Sequence, residues 1–293
     1  MLGLSFISLF GVRFSSSRIA AAILILALCW SSTSGSRAGD ETAAASDKEQ
    51  KEQRSKRRLE IMKSAIDDLK PSISGDASES TLEFAPTPLL RYNDETRGFL
   101  DAGVWRLGER GRPRALVTIE LYRQQEGTAF LSYEFLSMTP QRLVLASPNG
   151  ARWTPTPTEI KVVSLANAPE PADSAKGRLL QMRQLARRFA AHEDRQGDKV
   201  ECRLLPQPID RYDDAEQGIV DGAIFVFANG TNPEIGLLLE CGKSDWSYGV
   251  LRLSSAALAL DLDGKSVYQD GPFKNYTMTS PYTATRRTIA LPE

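Results

Sequence analysis

The chain contains a single histidine, His192, among its 293 residues. A serine or cysteine triad would need that side chain as its base, yet no nucleophile-elbow motif accompanies it. Multi-histidine zinc sites are excluded by count, and one histidine with two cysteines makes a poor zinc set. Neither a metal nor a cofactor is therefore expected. Cysteine is almost as scarce, with only Cys29, Cys202 and Cys241. Neither sign of charge prevails, since 36 basic side chains face 37 acidic ones. No global field then draws the chain to nucleic acid or to an anionic membrane. The composition is otherwise that of a globular protein, 41 % hydrophobic and 25 % charged.

Long apolar runs are also missing. The one candidate, Ile19 to Trp30, follows Arg13 and Arg18 and precedes the small, polar stretch Ser31 to Ala38. At about 12 residues it is shorter than the roughly 20 of a bilayer span, and the order of basic flank, apolar run and small residues is that of a secretory signal. The expectation is a signal peptide over residues 1–38, cleaved near Ala38, and export to the periplasm or cell envelope. On this reading the membrane is met only through the export signal. Cleavage would leave Cys202 and Cys241 as a pair in an oxidising compartment, which permits a disulfide without requiring one.

What the chain has in abundance is internal repetition. Moving along by 120 residues lays Pro88, Arg91, Tyr92, Asp94, Gly98, Asp101, Pro113 and Glu120 on Pro208, Arg211, Tyr212, Asp214, Gly218, Asp221, Pro233 and Glu240 without a gap. The match resumes at a shift of 115, with Leu131–Met138 on Trp246–Leu253 and Trp153 on Tyr268. Within each copy the apolar residues recur at period two. Trp105 and Leu107 correspond to Phe225 and Phe227, and the return run Ala115, Val117, Ile119, Leu121 corresponds to Ile235, Leu237, Leu239, Cys241. GERGRP and ANGTNP between the runs carry the residues of hairpin loops.

The predicted fold is α+β and β-rich, with two tandem antiparallel β-meanders, each preceded by a helix, forming a sandwich or one continuous curved sheet. The boundaries are a polar tether and amphipathic helix over 39–83, the first repeat over 84–157, a linker strand and helix over 158–203, and the second repeat with a tail over 204–293. Leu59, Met62, Ile66 and Leu69 give the first helix its stripe, ending before Pro71, with a loop over Ser72 to Ser80. Met182, Leu185, Phe189 and His192 do the same for the second helix. Glu159 to Leu165 reads as the linker strand. Ala129 to Met138 and Leu143 to Leu145 extend the first meander.

The phrases MRQLARRFAAHE from Met182, CRLLPQPIDRY from Cys202 and DGAIFVFANGTNPEIGLLLE from Asp221 resemble a family of uncharacterised exported proteins of planctomycete bacteria. That family has no assigned activity. The resemblance implies export and a bacterial setting, and it transfers no catalytic residue.

Four repeated carboxylates are candidates for chemistry. Asp101 and Asp221 would converge if the copies pair about a pseudo-twofold axis, and facing carboxylates can divide acid and base roles. Their neighbours, DAG and DGA, are not those of aspartic proteases. A structural role for Arg91 with Asp94 and Arg211 with Asp214, capping a polar turn, explains the repetition more simply. Glu120 and Glu240 lie opposite the apolar row of their strands and would suit a glycosidase pair at about 5 to 10 Å. The simpler alternative for Glu120 is a cross-strand ion pair with Arg106. Repeated aromatics, Tyr92, Trp105, Tyr133 and Trp153 with Tyr212, Phe225, Tyr248 and Tyr268, suit either a β core or a binding platform.

The functional expectation is an exported, non-catalytic binding or envelope-structural module, with an envelope protein or a carbohydrate as partner. The alternative is a hydrolase with paired carboxylates at the interface between the repeats. A residue kept in both copies is explained first by what each copy needs in order to fold. Local function is then expected where the copies differ.

Overall fold

A computed structural model describes residues 35–74, 79–125, 127–147, 151–195 and 197–291. The expected signal segment thus lies almost wholly outside the described residues. Two units are distinguished, Met1–Glu52 and Gln53–Glu293. The described part of the first is helical, and both repeats lie in the second. No helix among the described residues is long and apolar enough to cross a membrane.

The first copy begins with the end of α1 (Gly35–Asp67) and continues through β1 (Lys70–Ser74), β2 (Glu79–Thr81), β3 (Leu90–Asp94), β4 (Phe99–Leu107), β5 (Ala115–Gln125), β6 (Thr128–Ser137), β7 (Arg142–Ala146) and β8 (Arg152–Trp153). After the short β9 (Val162–Ser164), the second copy repeats the order. Its elements are α2 (Ala175–Ala186), β10 (Phe189–Arg195), β11 (Asp198–Leu204), β12 (Asp210–Asp214), β13 (Ile219–Asn229), β14 (Asn232–Cys241), β15 (Trp246–Arg252), β16 (Ala257–Leu262) and β17 (Lys265–Asp270). The chain closes with β18 (Tyr282–Ala290). The protein is α+β and β-rich, with antiparallel, curled sheets.

The correspondence reaches further back than the matched sequence blocks. Met62, Ala65, Ile66 and Leu69 are buried, and so are Met182, Leu185, Ala186 and Phe189 at the same shift of 120. Each helix fills the concave side of its own sheet. In the first copy Met62 and Ile66 share a core with Trp105, Leu107, Val117 and Trp153. In the second, Met182 and Leu185 share one with Phe225, Phe227, Leu237 and Trp246. These are the period-two residues, so the alternation correctly gives the inner face. Trp105, Phe225, Tyr133, Tyr248 and Trp153 all belong to these cores, which leaves them unavailable as exposed platforms.

The opposite face is buried as well. Tyr92, Phe99, Val104, Leu136 and Met138 pack with Tyr212, Ile219, Ile224, Leu251 and Leu253, each the counterpart of one in the other copy. Two sheets packed back to back through equivalent residues form a pseudo-isologous interface, the arrangement of a twofold dimer written in one chain. The outer strands lock it. β9 follows the first copy but pairs with β15 of the second, while β18 follows the second and pairs with β6 of the first along its whole length.

Several local expectations change. α2 ends at Ala186, and Phe189 to His192 form part of β10, paired with β11 and β16. Residues at helical spacing there are pulled into a sheet because two neighbouring strands supply backbone partners on both sides. Likewise α1 ends at Asp67, and part of the expected loop after Pro71 is strand, Ser72–Ser74 belonging to β1 and Glu79–Thr81 forming β2. Only Val162–Ser164 of the expected linker strand is extended in a ladder. β7 leaves the meander and pairs with β1 and β8.

Candidate functional site

The residues repeated in both copies are held in structural roles. Arg91 Nη2 and Nε donate to Asp101 at 2.5 and 2.9 Å, and Arg211 makes the same fork to Asp221 at 2.6 and 2.9 Å. The arginines also donate to backbone carbonyls of the preceding helix, Ser55 within α1 and Ala175 at the start of α2. Asp94 accepts from the amides of Thr96 and Arg97, and Asp214 accepts from that of Gln217. Each aspartate thereby caps a single 3₁₀ turn that closes on Gly98 or Gly218 at positive φ, a conformation glycine adopts without strain. Asp101 on β4 and Asp221 on β13 are each bound by the arginine of their own copy, and Asp221 also accepts from Arg178 at 2.9 Å.

Glu120 and Glu240 start from the same place and end in different surroundings. Tyr212 donates to Glu240 at 2.6 Å, and Arg112 closes over it with a fork of 2.7 and 2.9 Å. Glu120 receives Tyr122 at 2.9 Å and Tyr92 at 3.4 Å, both neutral hydroxyls. The expected Arg106 partner is absent. Arg106 instead reaches Asp210 at 2.8 Å and the carbonyls of Gly108 and Gly111, because the register sets Glu120 opposite Ala102 and not opposite Arg106.

Glu120 lines a cavity of about 1130 Å³ between the two copies. One wall is the outer face of the first sheet, where Thr118 pairs with Glu134 and Glu120 with Ser132 across β5 and β6. The facing wall comes from the second copy and carries Glu193, Asn232, Glu234 and Ser254, all buried. Arg97 bridges the walls, donating from Nη1 to Glu234 at 2.8 Å and from Nη2 to Glu193 at 3.3 Å. The exposed Asp194, Asp198 and Tyr276 form the rim. In all, six carboxylates and two guanidiniums line the space.

Burial pushes the proton affinities of the floor carboxyls upward. Desolvation raises Glu134 well above the ordinary carboxylate range, reinforced by the charge of Glu120. Desolvation also raises Glu120, with Tyr122 and Tyr92 opposing it. Glu234 is raised by desolvation and by Glu193, against Ser254, Arg97 and Asn232. Its Oε1 accepts from Arg97 and Asn232, the latter at 2.8 Å. Its Oε2 is buried and makes no hydrogen bond of acceptable geometry, although Ser254 is near enough to temper its affinity for a proton. A buried carboxylate oxygen without a partner is costly and calls for an explanation.

A second cavity of about 910 Å³ occupies the corresponding place on the other side of the interface. There Gln217 stands for Arg97, Arg112 for Asn232 and Arg114 for Glu234, and Lys161 adds a further cation. Glu134 corresponds to Gly249 and Glu193 to Ile73, so three of the four glutamates that line the larger cavity have no acidic counterpart. The repeat can fold without them. They were missed in the sequence because alternation marks one face of a strand as core and leaves the other unassigned; a carboxylate in one copy matched by glycine, isoleucine or arginine in the other was the available signal.

Cys202 and Cys241 are buried and unbridged in the second core. Desolvation pushes their thiols up to about 12 and about 11 respectively. His192 lies on β10 outside both cavities, with Nδ1 buried and unpartnered. Among the described residues no three histidine, cysteine or acidic side chains form a metal-binding group. Compared with protein families, curated proteins and solved structures, the chain matches none.

Proposed function

We propose that this is an exported, non-catalytic binding protein whose ligand occupies the acidic cavity between the two copies. One observation carries the reading: Glu134, Glu193 and Glu234, three of the four glutamates that line this cavity, have no acidic counterpart in the other copy, whereas the shared aspartates are consumed in caps and ion pairs. Concave sites with a few convergent polar groups at the junction of two lobes are the usual places for small ligands. The volume of about 1130 Å³ accommodates one.

The test is chemical recovery. Protein isolated from the envelope of its source cells would be denatured and the released small molecules identified by mass spectrometry, beside an Ala284→Trp variant. Ala284 pairs with Glu134 on the cavity wall, so an indole there projects into the space and obstructs a ligand beside Glu134. A compound released by the parent and missing from the folded variant supports the proposal. Identical extracts overturn it.

The proximity of carboxyls with raised proton affinity also favours a second reading, acid and base catalysis on a glycoside. Its pair would be Glu120 and Glu134, which share the cavity, in place of Glu120 and Glu240, which do not. Turnover of an aryl glycoside panel, lost in Glu134→Gln with binding retained, would establish that reading against the first.

A further inference from the structure

We infer that the ligand of the acidic cavity is a linear organic polycation, a di- or polyamine with ammonium groups separated by short alkyl segments. This rests on the binding role proposed above and names its chemistry.

The charge balance is the first ground. Six carboxylates line the cavity against Arg97 and Arg286. Arg97 is already committed to Glu234, Glu193 and Asp94. Arg286 lies over the Phe130 ring at 5.2 Å. Glu120 is hydrogen-bonded by tyrosine hydroxyls and by no cation, so it keeps its capacity to pair with a charge that enters. The second ground is independent of charge counting. Glu234 is fully buried, lines the cavity, and holds Oε2 without a hydrogen bond. A primary ammonium brings three donors, enough to satisfy Oε2 and a neighbouring hydroxyl together.

Distribution separates an organic cation from a metal ion. The carboxylates come from β5, β6, β10, β11 and β14, and no three converge as ligands among the described residues. Charges spread along a cavity match charges spread along a chain. Between them the cavity presents the rings of Phe99, Tyr122 and Tyr276, surfaces suited to methylene segments and to cation–π contact. The second cavity provides an internal contrast, since the same fold there gathers Arg112, Arg114 and Lys161 against the single carboxylate Glu159, a balance that disfavours such a ligand.

Binding is coupled to protons. An ammonium beside Glu120, Glu134 or Glu234 favours the ionised carboxylate and lowers affinities that burial has raised, so protons leave on binding.

Isothermal titration of the protein from residue 39 onward with spermidine, putrescine, neutral 1,4-butanediol and magnesium chloride tests the inference. The expected result is saturable binding of spermidine, weaker binding of putrescine, none of the diol, and heats in phosphate and Tris that differ by released protons. Glu234→Gln and Glu134→Gln, each verified as folded by circular dichroism, should weaken spermidine at least tenfold. Asp263→Asn removes one exposed carboxylate far from the cavity and should leave affinity within twofold. Spermidine binding unaffected by either cavity variant, equal binding of the diol, displacement by magnesium at equal charge, or no binding at millimolar concentration overturns the inference. A neutral or anionic compound recovered from envelope-derived protein would do so too, while leaving the binding role intact.

Discussion

Arg97 of the first copy reaches Glu234 of the second at 2.8 Å, and at the equivalent place in the other cavity Gln217 shares the lining with Arg114. One duplicated framework thus holds an inter-copy ion pair at one end and an amide beside a guanidinium at the other. The fold tolerates both, so the ion pair owes its presence to the acidic cavity that it crosses.

Removing the cation from that pair has a calculable sign. Arg97→Met strands Glu234 and weakens the support of Glu193 in a buried setting. Breaking a buried pair costs about 3 to 5 kcal/mol, and partial exposure of Arg97 reduces this to about 2 kcal/mol at neutral pH. Urea denaturation at pH 7 and pH 5 measures it. The loss should shrink at pH 5, where a proton on Glu234 replaces the lost charge.

The pH profile of the unliganded protein follows from the same carboxyls. Glu120, Glu134 and Glu234 bind protons more tightly folded than unfolded, and Asp210 is raised by desolvation in the same direction. Between the ordinary carboxylate range and the raised values the folded state holds more protons. Stability is therefore greatest near the bottom of that window and falls as pH rises through it, by up to about 1.4 kcal/mol per pH unit for each proton. Urea titrations from pH 4.5 to 8.5 should show this decline, and Glu134→Gln should flatten it. A profile that rises steadily to pH 8 would contradict the assignment.

The counterpart carboxylate makes a matched comparison. Glu240 is held by Arg112, so Arg112→Met leaves it buried against the Tyr212 hydroxyl without a cation, one hydroxyl short of what Glu120 has natively. The expected cost is about 2 to 3 kcal/mol, and Glu240→Gln in the same chain should recover part of it. Thermal melts of the single and double variants measure the coupling.

The duplication, its register and the inner faces of the sheets were legible because a residue needed twice is written twice. Tyr92 and Tyr212, or Trp105 and Phe225, announce themselves by recurrence and by period two. β10 was not legible, since Phe189 and His192 continue a helical spacing past Ala186, and only pairing with β11 and β16 decides against it. The cavity was hidden for a different reason. Glu134 and Glu193 lie on strand faces that look solvent-facing until the two sheets are set back to back, and that packing depends on contacts between residues more than a hundred positions apart. Comparing the copies for differences instead of identities isolates them.

The exchange of outer strands yields the last prediction. β18 supplies the edge partner of β6 over the register Tyr282–Leu136 to Ala290–Thr128, and Tyr282 itself is buried in the interface between the copies. Ending the chain after Ser280 strips that partner and leaves β6 as a long unpaired edge beside Tyr133 and Phe135. Exposed edges of that kind pair with other chains. Size-exclusion chromatography with light scattering should show the truncated protein as soluble oligomers or aggregate. β9 pairs with β15 over three residues only, so Val163→Pro should leave the protein monodisperse and cost about 1 kcal/mol or less, Pro being tolerated at an edge. If the truncated chain keeps the size and melting behaviour of the parent, the reciprocal strand exchange is not what holds the first copy together.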